Sequence, residues 1–212
     1  MLLFLPLFFG ACMNLKQPRN RVDFCTLEYD PPQIARFSPL PYVIRLARFN
    51  VAPIYNSNKI IYRNQSFKRN AYFYYKWQAN PRDLVTHFIH RDMRQSGLFR
   101  AVLPHDSMLL PSHVLEGTVD EFFESDMDES WKAVLSVSIT FTAQKGSDVS
   151  NGVLFQKAYH VTKPCNQKRP EALAEAMSQA MAVLSRQITE DIYSCLEDRS
   201  ESLQSSRPPG KK

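Results

Sequence analysis

Cys12 is the residue whose surroundings define a chemistry most clearly. It follows an apolar run over residues 2–9 and comes directly after Gly10 and Ala11. Small residues before a cysteine, behind an apolar segment, are typical of the site where a bacterial leader is cut and the cysteine thiol receives a diacylglycerol. The sequence therefore predicts a leader over residues 1–11, a lipidated Cys12 and an exported protein.

Two features of the leader leave its interpretation open. No Lys or Arg precedes the apolar run, and the run is at the short end for the apolar part of a signal peptide. A translation start placed too far downstream would account for the missing basic residues. The alternative to a leader is a buried N-terminal strand or a frayed hydrophobic end. A membrane-spanning helix is excluded, because spanning needs about 20 apolar residues and the chain turns polar at Asn14.

The other reactive residues do not match known catalytic or metal patterns. His87 and His90 have a spacing that suits a metal on one helix face, but no HExxH motif surrounds them. Residues 105–107 contain His, Asp and Ser, yet adjacent residues point in different directions and cannot form a catalytic triad. The acidic segment 126–129 lacks the glycine and the later glutamate of a calcium-binding EF-hand loop. We therefore expect no catalytic residue, no metal and no cofactor.

A basic and aromatic segment is the best candidate for a binding surface. Residues 59–63 and 71–77 predict a β-hairpin, in which Tyr72, Tyr74 and Lys76 share one face. Exposed aromatic side chains beside basic ones suit a protein partner or a lipid headgroup surface. The candidate surface consists of Tyr62, Arg63, Lys68, Arg69, Tyr72, Tyr74 and Lys76. The alternative is that a helix covers the aromatic side chains and all of them belong to the core.

Charge and cysteine content bear on the binding partners and on the possible disulfide bonds. The net charge of +5 comes without the stacking motifs or zinc ligands of nucleic-acid-binding modules, so we expect no nucleic-acid partner. Apart from Cys12, the cysteines are Cys25, Cys165 and Cys195. In an oxidising compartment they allow one disulfide and one spare thiol, and the three pairings remain open.

Apolar periodicity predicts the elements that must position these groups. Asn80 and Pro81 start a helix that Gly97 ends, and a second, longer apolar stripe predicts a helix over 170–196. Strands are predicted over 24–29, 42–49, 59–63, 71–77, 98–103, 114–123, 131–142 and 153–161. The acidic segment 124–129 is predicted to be a turn. In the strand over 131–142, alternate residues are predicted to face the core: Trp131, Ala133, Leu135, Val137, Ile139 and Phe141. The fold class is α+β: a mixed, largely antiparallel sheet with two main helices packed on one face.

These elements predict a single folded domain. An apolar fraction of 44% is that of a globular protein. We expect residues 12–22 to be a tether, residues 23–197 to be the domain and residues 198–212 to be a disordered tail, since the tail has nothing to bury.

Several segments together resemble a known family. They are residues 27–29, 48–53, 61–63, 72–77, 80–81, 96–99, 115–119 and 174–178. Through these segments the chain is similar, over roughly residues 23–196, to the ABC-type transport auxiliary lipoprotein component, which is associated with Mla- and Pqi-type lipid trafficking.

The resemblance implies a non-enzymatic subunit anchored by acyl chains in the outer membrane and facing the periplasm. Its implied partners are a permease, a separate ATPase and a substrate-binding subunit that shuttles lipid; a homo-oligomer is left open. Cys12 is the one functional residue that carries over, and Met13 replaces the Asp that favours inner-membrane retention. The transported lipid or organic solvent is not indicated.

Two other readings of the same residues remain. An envelope scaffold or regulator, such as an activator of cell-wall synthesis, would use the same anchor and the same basic and aromatic face. An enzyme using His87, His90 or His105 would need a bound metal or a deep polar pocket around these side chains.

Overall fold

The fold comes from a computed structural model that describes residues 21–35, 38–127, 130–144 and 152–205. Within these ranges the chain forms nine strands, two α-helices and one turn of 3₁₀-helix at Pro53–Tyr55. The strands are β1 Asp23–Cys25, β2 Leu40–Leu46, β3 Asn50–Val51, β4 Lys59–Arg63, β5 Asn70–Trp77, β6 Phe99–Leu103, β7 His113–Met127, β8 Ser130–Ala143 and β9 Val153–Pro164. The helices are α1 Pro81–Gln95 and α2 Pro170–Ser205.

The long strand β7 organises one curled sheet. Along one of its edges β2, β3 and β4 pair in succession, each parallel to it. Its other edge pairs with β8, and β8 pairs with β9, to give an antiparallel meander. Beyond β2 lies β6, and beyond β4 lie β5 and then β1. The sheet therefore has two branches on one side of β7 and a meander on the other.

The prediction of a largely antiparallel sheet is wrong. Among the described strands, five of the eight pairings are parallel and three are antiparallel. The three antiparallel pairings join strands that follow one another along the chain, as tight hairpins require. The parallel pairings join strands separated by long connections, such as the hairpin and α1 between β2 and β6. Short-range patterns reveal hairpins only, so this part of the topology could not be predicted.

Helix α1 begins and ends where the sequence predicts. The Asn80 side chain accepts a hydrogen bond from the Arg82 N–H at 3.1 Å, and Pro81 occupies the first helical position. Gly97 has a φ of +66°, in the left-handed region that suits glycine after a helix. The predicted apolar stripe is buried throughout: Leu84, Val85, Phe88, Ile89 and Met93.

Helix α2 is longer than predicted. Its stripe is fully buried from Leu173 to Ile192 and packs against β8 and β9, while α1 packs against β6, β7 and α2 itself. The helix runs on to Ser205, so residues 198–205 are helical where a disordered tail was expected. Residues 206–212 lie outside the described ranges. In the described part of the chain, neither helix is both long and apolar enough to cross a membrane.

The hairpin of β7 and β8 is also longer than predicted. Strand β7 continues through Met127 and β8 starts at Ser130, so the first residues of the predicted acidic turn belong to a strand. Residues 128 and 129 lie outside the described ranges. The predicted inward face of β8 is confirmed, because Ala133, Leu135 and Val137 have no more than traces of exposed surface. The extension of β7 places Glu124 inside the protein.

Candidate functional site on the β4–β5 hairpin

The structure divides the predicted basic and aromatic surface into internal and exposed side chains. Tyr62 and Tyr72 pack on each other with ring centroids 5.1 Å apart. The Tyr72 hydroxyl donates to both carboxylate oxygens of Glu124, at 3.0 and 3.1 Å. Both tyrosines are half-buried. They hold β4 and β5 to the end of β7 and offer little surface to a partner.

Two of the predicted basic residues cover an aromatic ring. The guanidinium groups of Arg63 and Arg69 lie 5.4 and 5.2 Å from the ring centroid of Phe123. Phe123 itself is buried. The two guanidinium groups cover its ring, and cation–π attraction stabilises this arrangement. Lys68 is exposed in the 64–69 loop. Of the predicted basic side chains of this loop, Lys68 is the one fully open to solvent.

The alternation predicted along β5 is broken. The register against β4 shifts between Lys59 and Ile61, and the extra residues of β5 form an irregularity there. As a result Phe73 and Tyr74 are both exposed, at 74% and 46%, although neighbours in a regular strand point to opposite faces. Trp77 is buried and Lys76 is half-buried. Tyr74 is therefore exposed, as predicted, and Phe73 is an additional exposed residue on this strand.

Sequence reasoning missed a buried carboxylate next to this hairpin. Glu124 is 1% exposed. Besides Tyr72, it accepts a hydrogen bond from the Trp131 indole N–H at 2.5 Å. The one signal that could have indicated it is Trp131, whose buried N–H requires an acceptor. The cluster of Tyr72, Glu124 and Trp131 clamps β5, β7 and β8 together.

Burial raises the pKa of Glu124 to about 6, even though the hydrogen bonds from Tyr72 and Trp131 favour its charged form. The unfolded chain holds this carboxyl near its usual pKa of 4.5. The folded state therefore binds the proton more tightly than the unfolded state. The resulting stability is fully present below pH 4.5 and is lost as the pH rises through 6.

We expect Glu124→Gln to remove this loss of stability with rising pH. The difference in free energy of unfolding, variant minus wild type, should rise by about 2 kcal/mol between pH 4 and pH 7, because the pKa gap is about 1.5 units. Urea unfolding across this pH range measures it. Glu116→Gln is the matched control, since Glu116 lies on the same strand and is exposed. A difference that stays constant with pH would contradict the burial of a raised-pKa carboxyl.

The three histidines named above line one cleft of about 330 Å³ beside α1. His87 and His90 come from α1, and His105 comes from the loop after β6. Burial lowers the pKa of His90. At the edge of the cleft the Arg48 guanidinium pairs with Asp83 at 2.7 Å. In residues 21–35, 38–127, 130–144 and 152–205, no three or more His, Cys, Asp or Glu side chains are arranged to hold a metal ion.

The remaining predicted residues are cysteines. Cys12 lies outside the described residues. Cys25, Cys165 and Cys195 are free thiols, so none of the three disulfide pairings that were left open is formed. Burial raises the pKa of all three, that of Cys165 to about 11, which keeps them protonated near neutral pH.

The fold defines a class of protein already seen in bacteria. Protein XCC0632 from Xanthomonas campestris has a TM-score of 0.75 and 15% identity over 84% of this chain and 99% of its own. The hypothetical protein CT253 from Chlamydia trachomatis has a TM-score of 0.53 and 9% identity over 74% of this chain and 98% of its own. At such identities the likeness shows the fold alone. No curated protein matches the sequence significantly.

The chain belongs to the family of ABC-type transport auxiliary lipoprotein components, whose model matches residues 26–189. The match spans β2 to β9, α1 and most of α2. It confirms the resemblance inferred from the sequence. The protein is therefore a lipoprotein of the cell envelope and an auxiliary component of ABC-type transport.

Proposed function

We propose that this chain is a non-enzymatic auxiliary subunit of an ABC-type system that moves lipids or organic solvents. Acyl chains on Cys12 anchor it in the outer membrane, facing the periplasm. It works by binding the permease, the ATPase or the lipid-shuttling subunit of the system. The observation that carries this proposal is the family match over residues 26–189, in a chain with a small-residue–cysteine site at residues 10–12.

In this proposal the lipid anchor is what allows a non-enzymatic domain to contribute to transport. Each buried CH₂ of an acyl chain contributes about 0.8 kcal/mol, and two chains give stable membrane attachment. Attachment confines the domain to a thin layer beside the membrane. This raises its effective concentration for envelope partners without any additional contact.

Crosslinking in intact cells, followed by purification of the full chain, tests the partners. We expect the permease or the lipid-shuttling subunit to be captured, and we expect deletion of the gene to disturb the lipid asymmetry of the envelope. Capture of a cell-wall synthase with normal lipid asymmetry would overturn the proposal in favour of an envelope scaffold or regulator.

Cys12→Ala should abolish lipidation, because the thiol is the acceptor of the diacylglycerol. Radiolabelled palmitate should enter the wild-type protein and not the variant, with the genomic sequence upstream of Met1 included in the expressed gene. Cys25→Ala is the matched control, since Cys25 is a buried free thiol and its loss should leave the label in place. Label that persists in Cys12→Ala would place the modification elsewhere and refute the anchor.

A further inference from the structure

Three aromatic side chains are exposed on the β4–β5 hairpin. Phe67 is fully exposed in the 64–69 loop, where its φ of 60° lies in the left-handed region. Phe73 and Tyr74 project from β5 with ring centroids 4.8 Å apart. We call these three residues the aromatic rim. Large aromatic side chains exposed on one hairpin indicate an interaction surface, since monomeric proteins rarely leave large apolar groups together in water.

The strand directions place the aromatic rim where the chain enters the domain. Strand β1 runs parallel to β5, and Asp23 lies beside Tyr75. Strand β5 itself starts at the 64–69 loop and runs away from it. The chain therefore enters β1 from the side of β5 on which the 64–69 loop, with Phe67, is found.

The length of chain between Cys12 and the fold limits the distance to the anchor. Eight residues lie between Cys12 and Arg21, the first described residue, and the chain from Cys12 to Arg21 spans at most about 30 Å when fully extended. A bilayer that holds acyl chains on Cys12 is therefore within reach of the aromatic rim. The 104–112 loop precedes the first residue of β7, whereas the end of β4, which leads into the 64–69 loop, pairs with the last residues of β7, so the two loops lie at opposite ends of this strand.

Basic side chains accompany the rim. Lys76 follows Phe73 and Tyr74 on β5 and lies beside Lys59 in the β4–β5 register. Lys68 is next to Phe67. Within the described part of the chain none of these three lysines forms an ion pair. Aromatic rings with nearby lysines match the two layers of a membrane interface, the acyl boundary and the anionic headgroups.

We propose that the aromatic rim and its lysines dock onto the surface of the same bilayer that holds the lipid anchor. The proposal depends on the proposed function for the acylation of Cys12. Two points of attachment, the acyl chains and the rim, fix the orientation of the domain. The 104–112 loop, with the exposed Met108, Leu109 and Leu110, then points away from the membrane.

Fluorescence quenching by brominated lipids tests the docking. The full lipidated chain is reconstituted into phosphatidylcholine and phosphatidylglycerol vesicles, and Phe67→Trp and Phe73→Trp are compared with Met108→Trp. Met108 is 95% exposed at the opposite end of β7 and serves as the control. The wild-type signal from Trp77 and Trp131 is subtracted first. We then expect brominated lipids to quench the fluorescence of the added Trp at positions 67 and 73 but not at position 108. Equal quenching at all three positions would overturn the proposal.

Charge reversal tests the role of the lysines. Lys68→Glu with Lys76→Glu should reduce the quenching of Phe73→Trp in vesicles rich in phosphatidylglycerol, and added salt should reduce it in the parent protein. Quenching that is insensitive to both changes would remove the lysines from the docking surface and overturn that part of the proposal.

The same preparation separates this proposal from the proposed function. Mass spectrometry of the N-terminal peptide reports acylation of Cys12 independently of the fluorescence. An acylated protein without quenching at 67 and 73 refutes the docking and leaves the anchor intact. If the Trp fluorescence at positions 67 and 73 is unchanged by brominated lipid and changes only when transporter subunits are added, the rim binds a protein and the membrane proposal is wrong.

Discussion

Arg91→Ala should lower the free energy of unfolding by about 3–5 kcal/mol, the range for loss of one partner of a buried ion pair. The Arg91 guanidinium lies 2.7 Å from Asp92, whose side chain is 1% exposed. The Tyr29 hydroxyl donates to the other carboxylate oxygen at 2.7 Å. Without Arg91 the carboxylate remains buried with one strong donor, so its charge is no longer compensated.

Packing adds to the effect of charge at this position. The Arg91 guanidinium lies 4.4 Å from the ring centroid of Tyr29 and 4.6 Å from that of Phe88. It therefore joins α1 to the segment after β1. Arg91→Met keeps much of the side-chain volume and removes the charge, so it should retain most of the destabilisation.

Urea unfolding with a control on the same helix measures the effect. Arg94→Ala is suitable because Arg94 is exposed, and exposed substitutions change stability by about 0.5 kcal/mol or less. Adding Asp92→Asn to Arg91→Ala should recover part of the loss, since the buried group is then neutral. A loss in Arg91→Ala no larger than that in Arg94→Ala would show that the ion pair does not support the fold.

Gly117→Ala should destabilise the protein by about 1–3 kcal/mol, as overpacking of a filled core does. A Cβ at this position would overlap the ring of Phe49. Phe49 is 1% exposed and follows β2, while Gly117 lies in β7 between the segments that pair with β2 and β3. Because Phe49 is almost fully buried, its ring has little room to move away from the added methyl group.

A second substitution tests this explanation. Phe49→Leu shortens the side chain, so the double variant with Gly117→Ala should lose less stability than the sum of the two single variants. Gly97→Asn is the control, because no atom lies within 4 Å of a Cβ there and asparagine tolerates the positive φ. Strict additivity of Gly117→Ala and Phe49→Leu would refute the steric cause.

The local elements could be predicted because their signals lie within a few residues of each other. Asn80, Pro81 and Gly97 start and end α1 as expected. The alternating residues of β8 and the stripe of α2 are buried as expected. Each of these features depends on periodicity or on a cap, both of which are properties of neighbouring residues.

The candidate surface could be predicted only in part. The basic and aromatic composition of residues 59–77 indicated a hairpin with exposed rings, and Tyr74 is exposed. The faces of the other residues depend on an irregularity in the pairing of β5 with β4. That irregularity depends on the partner strand, so the sequence of β5 alone predicted the wrong alternation. Phe73 is therefore exposed, and Tyr72 is turned toward Glu124.

The sequence by itself determined the helices, most of the strands, the candidate lipidation site at Cys12 and the family. These depend on short patterns or on residue types along one segment. The tertiary structure alone decided which strands are parallel neighbours, that Glu124 is buried against Tyr72 and Trp131, and that Phe67, Phe73 and Tyr74 are all exposed on the β4–β5 hairpin. The physical reason is that burial and strand pairing are set by contacts between residues far apart in the chain, and no local pattern encodes those contacts.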